Sequence, residues 1–133
     1  MPKSTISAIF LGRQRHAMAG LGIRLLEGIR NDYMPSVKLW DALGMILILH
    51  KMYELHTTGR DASSSALSRG TGMPRTTVQR RLAQLKKIGV IEQRGQRYLM
   101  SPEHLNHPLI MHGFRRRVAL VTRAQKRMLQ SGT

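Results

Sequence analysis

Residues 71–101 read TGMPRTTVQRRLAQLKKIGVIEQRGQRYLMS. Pro74 suits the first turn of a helix, where a missing backbone N–H costs nothing. Val78, Leu82, Leu85 and Ile88 then recur at steps of four, three and three, which predicts one apolar stripe turned to a core. At ~100° per residue the opposite face carries Thr76, Arg80, Ala83 and Lys87, with Arg75, Thr77 and Gln79 crowded at the helix start. Gly89 stops the helix. Val90, Ile91 and Glu92 lead into a strand, Arg94-Gly95-Gln96-Arg97 form a tip, and Tyr98, Leu99 and Met100 return as a partner strand.

Upstream, Thr57 to Asp61 form a breaker cluster, and Ser63, Ser64 or Ser65 can cap a short helix that stops at Gly70-Thr71-Gly72. Before that, Asn31, Asp32 and Pro35 mark a turn, and Ser36 is a candidate N-cap for a helix running to about His56. That helix, apolar nearly all round at Met45 to Leu49, is expected to be the most buried element. At the N-terminus, Ile6, Ile9, Phe10, Met18, Leu21, Leu25 and Ile29 keep a helical period, while four glycines leave two helices or one bent helix open. Downstream, Ser101-Pro102-Glu103 starts a helix, His107-Pro108 interrupts, and Ile110, Phe114, Val118, Val121, Ala124 and Met128 form a stripe on a last helix.

Helix, glycine-bearing turn, helix and hairpin make a winged helix-turn-helix. The expected fold is mainly α with a small β-hairpin, in one domain: residues 1–35 as N-terminal dimerisation helices, 36–101 as the winged core, and 102–133 as a C-terminal dimerisation helix. The chain has 133 residues, enough for one core. A DNA major groove about 12 Å wide admits one helix, whose first residues meet base edges. Thr76, Thr77, Gln79 and Arg80 are therefore the expected base readers. Arg75, Lys86, Lys87, Arg94, Gln96 and Arg97, with Ser64 on the preceding helix, are expected on the backbone or in the minor groove.

Charge agrees with this placement. Twenty-two Lys and Arg face seven Asp and Glu, a formal net charge of +15. Residues 61–101 carry eight basic and two acidic groups, and residues 102–133 six and one, so the excess sits on the winged segment and the C-terminal helix after it. Such a field draws polyanions.

At Thr77, Val78, Arg80, Leu82, Leu85, Gly89, Val90 and Ile91 the chain resembles winged helix regulators of the MarR type, and TTVQRRLAQLKKIGVIEQ is also similar to the corresponding part of IclR-type regulators. The resemblance covers about residues 60–101. The length and the helices at both ends favour the MarR type, although the Asp-x-Arg pattern of a MarR wing is missing from EQRGQRY. That resemblance implies a bacterial-type, sequence-specific transcriptional regulator bound to double-stranded DNA as a homodimer, and the lack of cysteine separately leads to the expectation of a cytoplasmic protein. Ile6, Phe10, Phe114, Val118, Val121 and Met128 would form the seam, with recognition helices about 34 Å apart. The alternative for the last helix is to fold back on the first helix of its own chain, and Arg115, Arg116 and Arg117 are expected to be solvated or near phosphates. The nine methionines either fill core gaps or, as the resemblance allows, line a cavity for an effector whose identity is unknown.

Other chemistry finds little support. There is no cysteine, and the six histidines lack the carboxylate or thiolate company of a metal site. No phosphate loop, nucleophile elbow or HExxH is present, and Asp41 and Glu54 have no implied partner, so no cofactor, metal or catalysis is expected. Ala42 to Leu49, the longest apolar run, falls short of the ~20 residues that cross a bilayer. Two rivals stay open: an architectural or replication-associated protein with little sequence preference, and a protein-binding or RNA-binding use of the same fold. The low aromatic content, 5%, argues against single-strand stacking.

Overall fold

The computed structural model describes residues 3–130, apart from the side chains of residues 3–7 and Phe10. Ile6 and Phe10, both expected in the dimer seam, thus lie outside the described side chains. Six helices and one hairpin are arranged in the order α1 (Lys3–Tyr33), α2 (Leu39–Thr57), α3 (Ser64–Thr71), α4 (Arg75–Ile88), β1 (Ile91–Arg94), β2 (Arg97–Met100), α5 (Pro102–Leu105) and α6 (Pro108–Gln130). None of these helices is long and apolar enough to cross a membrane.

α1 is one helix of 31 residues. The Arg30 guanidinium donates to the carbonyls of Pro35 (3.2 Å) and Val37 (3.3 Å), satisfying acceptors in the turn between α1 and α2. That turn is closed by the Val37 N–H on the Met34 carbonyl at 3.0 Å. It consumes Ser36, so α2 starts later than expected, with an extended Lys38 as N-cap and no side-chain cap bond. Ser101 likewise makes no cap bond from its side chain; its N–H is bonded instead to the Val90 carbonyl at 2.9 Å.

The core gathers around α2. Ala42, Met45, Ile46, Ile48, Leu49, Met52 and Leu55 meet Leu67 of α3, Val78, Leu82 and Leu85 of α4, and Val90 and Ile91 at the hairpin, while Ile29 and Met34 close it from α1. Met34, Met45 and Met52 fill this core. The helix is not apolar-packed all round, however: Trp40 is 83% exposed and Leu47 48%, because the partners of α2 cover only part of its circumference. Ile88 also departs from its stripe and is 43% exposed, since the core ends one turn earlier at Leu85.

α6 lies on α1 of the same chain in antiparallel fashion. Gln14 in the first half of α1 donates to the Met128 carbonyl near the end of α6 (3.4 Å), and Asp32 at the end of α1 meets Arg116 and Arg117 in the first half of α6. The C-terminal stripe therefore splits. Ile110, Gly113 and Ala124 are buried and Met128 half-buried, whereas Phe114 (60%), Val118 (50%) and Val121 (45%) stay exposed.

One polar clasp holds the lower end of this pair. The Asp32 carboxylate, 7% exposed, accepts from Arg117 and from Arg116 at 3.3 Å. Arg117 is itself only 11% exposed and its guanidinium lies 5.8 Å from the Tyr33 ring and 6.0 Å from Phe114. The expectation of solvated arginines therefore fails at Arg117, which the rotation of α6 brings to its inner side, and Arg116 is ion-paired as well. Gly113 is required by closeness: a Cβ there would collide with the Asp32 carboxylate. Tyr33 also meets the His104 ring of α5, centroids 5.1 Å apart. Burial raises the Tyr33 phenol above its usual value, against the pull of Arg117. Burial, then the neighbouring charge of His107, lowers the His104 imidazole, whose Nε2 is enclosed without a partner.

Asp32→Ala is expected to lower unfolding free energy by about 3 kcal/mol, because it strands the Arg117 charge, and Asp32→Ala with Arg117→Met to recover most of it, as denaturant midpoints would show. The lowered His104 value means that the unfolded chain takes a proton more readily than the folded one. Its contribution is therefore present above the ordinary value of 6.5 and lost as pH falls through the lower folded value. The thermal midpoint should fall on acidification through that window, and His104→Phe, which keeps the ring against Tyr33, should flatten the fall.

Candidate nucleic-acid interface

The short helix α3 begins at Ser63, whose side-chain oxygen accepts the Ala66 N–H at 3.1 Å, so Ser63 and not Ser64 is the cap. Ser64 is half-buried in the first turn. α3 ends at Gly72, and the Thr71 hydroxyl and Ser68 hydroxyl bond the carbonyls of Leu67 and Met73, both at 2.6 Å, which fixes the turn. Pro74 is the N-cap of α4 rather than its first helical residue.

α4 has two sides with different jobs. Val78, Leu82 and Leu85 are each no more than 1% exposed, and at ~1.5–3 kcal/mol per buried side chain they fix the rotation of the helix. That rotation leaves Arg75, Thr76, Gln79, Arg80, Lys86 and Lys87 exposed and Thr77 half-buried. The first-turn N–H groups and these donors thus share one outward surface.

The hairpin is antiparallel with Ile91 opposite Met100 and Arg94 opposite Arg97, joined by the two residues Gly95 and Gln96. Gly89 at φ 91° and Gly95 at φ 63° occupy left-handed backbone that a side chain would strain, the first to leave the helix and the second to reverse the strands. Two anchors hold the wing to the body. The Tyr98 N–H donates to the Ala62 carbonyl at 2.9 Å, and Arg97 pairs with Asp61 at 3.2 Å.

Between wing and helix lies a groove of about 390 Å³ lined by Gln79, Ala83, Lys86, Lys87, Gln93 and Tyr98. The Lys86 ammonium donates to the Gln93 side-chain oxygen at 2.9 Å, and the Gln93 amide donates to the Gly95 carbonyl at 2.9 Å, so helix and tip are bridged. Arg94 pairs with Glu92 at 3.0 Å. These are exposed pairs, worth ~0–1 kcal/mol, which a phosphate can displace. Gln96 is exposed at the tip.

The structure thus brings together Thr76, Gln79, Arg80, Lys86 and Lys87 on one helix side, with Arg94, Gln96 and Arg97 on the adjoining wing. Ser64 sits apart on α3. Two members were missed. Gln93 shares the strand side of buried Ile91, a period-two relation that alternation alone would have given. Arg60 joins Asp61, Arg94 and Arg97 around a second hollow at the base of the wing, a tertiary proximity with no local signal. Among the described residues no group of three or more His, Asp or Glu side chains is arranged to hold a metal.

Two helices at a tight turn, the second with its polar side free, and a hairpin beside it define a winged helix-turn-helix. Residues 55–95 match the IclR helix-turn-helix domain, a span that runs from the end of α2 through the turn and α4 into the wing. Searches of curated proteins and of solved structures gave no significant match. The similarity to the IclR domain supports a DNA-binding transcription regulator.

Gln93→Ala should release the wing tip. Amide exchange at Gln93 to Tyr98 is expected to quicken about fivefold, equivalent to the ~1 kcal/mol of one hydrogen bond, while α4 amides stay protected.

Proposed function

We propose that the protein is a sequence-specific transcriptional regulator that binds double-stranded DNA as a homodimer. α4 enters the major groove and the wing lies on the minor groove or backbone. The observation that carries this reading is the outward surface of α4, where threonines leave room for close approach and Gln79 and Arg80 supply donors to base edges. Arg75, Lys86, Lys87, Arg94 and Arg97 hold phosphates and set register. The protein acts by binding and carries out no reaction.

The whole-chain plan, with a winged core between two long terminal helices, favours a MarR-like arrangement over the IclR type, whose likeness is limited to residues 55–95. Phe114, Val118 and Val121 present an uncovered apolar flank suited to a second copy. A two-fold axis through that flank would set two reading helices on successive turns of one duplex.

Selection from random duplexes is expected to return a half-site repeated with two-fold symmetry, and flat enrichment would refute the reading. Arg80→Ala should relax base preference at one position at a cost of ~1–3 kcal/mol. Lys87→Ala should weaken all duplexes alike and reduce the salt slope by about one unit, in fluorescence anisotropy across salt concentrations.

A further inference from the structure

The α1–α6 pair carries more charge than the reading element. α1 has five basic and two acidic residues and α6 six basic and no acidic ones, a combined +9 of the chain's +15. A stem serving only to hold two like-charged subunits together would gain nothing from this.

The charge is also sorted. On α6, Ile110, Gly113 and Ala124 turn toward α1. At ~100° per residue, Phe114, Val118 and Val121 fall to one flank of that line and Arg116, Arg123 and Arg127 to the other, with Arg115 and Lys126 at the back. On α1, measured from buried Leu21, Leu11 and Met18 fall to the first flank, with exposed Arg15 beyond them, and Arg13 and Arg24 to the second, with exposed Ile9 and Glu27 beyond them. Because the helices run antiparallel, the same rotational sense places matching flanks on the same side of the pair. One side of the stem is mainly apolar and the other mainly cationic. The winged core attaches on the apolar side, through Leu26, Ile29 and Tyr33.

Arg13, Arg24, Arg123, Lys126 and Arg127 are exposed and, among the described residues, make no ion pair. Glu27 is the one acidic residue among the described residues on this side, and the basic groups outnumber it. The Arg116 to Arg127 row and the Arg13 to Arg24 row are each about 16 Å long and stand roughly 9 Å apart, a scale that matches several consecutive phosphates. The described rings on this side are the imidazoles of His16 and His112, and no described Phe, Tyr or Trp of α1 or α6 lies there, so bases have little to stack on.

We propose that the cationic side of the α1–α6 stem is a second phosphate-binding surface that holds a duplex segment other than the one on α4. This rests on the reading of α4 as a duplex-binding helix. Since the cationic side is turned away from the winged core, a duplex seated on α4 leaves it open to another segment. The protein then bridges DNA.

The test uses the full chain at about 150 mM salt, where charges beyond ~8 Å are screened from one another. A biotinylated duplex carrying the selected site is immobilised, and retention of a labelled second duplex is measured. Wild type should retain it. Arg123→Glu with Lys126→Glu and Arg127→Glu should cut retention at least tenfold while affinity for the first duplex changes less than about threefold. Arg123→Gln with Arg127→Gln, milder changes at exposed positions, should cut it in the same sense. Undiminished retention in both variants overturns the proposal. So does a loss confined to binding of phosphatidylglycerol vesicles, which would make the stem a membrane surface. The reading of α4 fails separately: if the stem variants abolish binding of the first duplex while Arg80→Ala leaves it untouched, the stem is the DNA surface and α4 is not.

Discussion

Burial of Val78, Leu82 and Leu85 against α2 is the constraint on which the rest depends. Each of the three is essentially without solvent contact, and rotation of α4 by a third of a turn would expose them all. With that rotation fixed, the helix has no freedom over which residues it shows to water. Thr76, Gln79, Arg80 and Lys87 are outside because the leucines are inside. Gly89 then ends the helix where Val90 can enter the same core, so the hairpin starts from a buried point and its tip lands beside the cationic side of α4. Apolar burial thus places the polar surface, without a single buried ion pair in that region.

The outer stem obeys a different rule. Its two helices meet through small residues, Gly28, Gly113 and Ala124, with the Arg117 methylenes packed over Gly28. The clasp of Asp32 with Arg116 and Arg117 stands where the stem joins the winged core. Apolar contact alone along such an interface specifies register weakly, because small side chains slide past one another. A carboxylate held by two guanidiniums has one geometry, and this gives the stem its register.

Much of this was legible in the sequence and some was not, for reasons that can be named. The α3–turn–α4–hairpin unit is written in local chemistry: Gly72, Pro74, Gly89 and Gly95 punctuate it, and the stripe of α4 has the right period. The groove between helix and wing was half legible, since Lys86 was expected near phosphate but its bridge to Gln93 depends on how far the hairpin folds back. Ser36 and Ser101 look like caps by type, yet turn closure took one and the Val90 carbonyl engaged the N–H of the other. The stem was least legible. The Asp32–Arg117 pair joins residues 85 apart, and periodicity alone could not divide the α6 stripe into Ile110 and Ala124 turned inward and Phe114, Val118 and Val121 turned out. Glycines along α1 suggested a break, but helical hydrogen bonds and packing outweigh a propensity cost of ~1 kcal/mol each.

The ties between the wing, α4 and the loop before α3 carry a mechanical consequence. Lys86 to Gln93, Tyr98 to Ala62 and Arg97 to Asp61 join the hairpin to its surroundings at three points, and of these the backbone bond from Tyr98 to Ala62 is the one a phosphate does not displace, so the base of the wing keeps its place beside α4. On the function proposed above, a duplex whose groove spacing differs from the distance between α4 and the base of the wing would have to twist or bend to be gripped. Base steps that deform easily would then be favoured even where no side chain reaches them, and selectivity would draw on the elasticity of the ligand as well as on its edges.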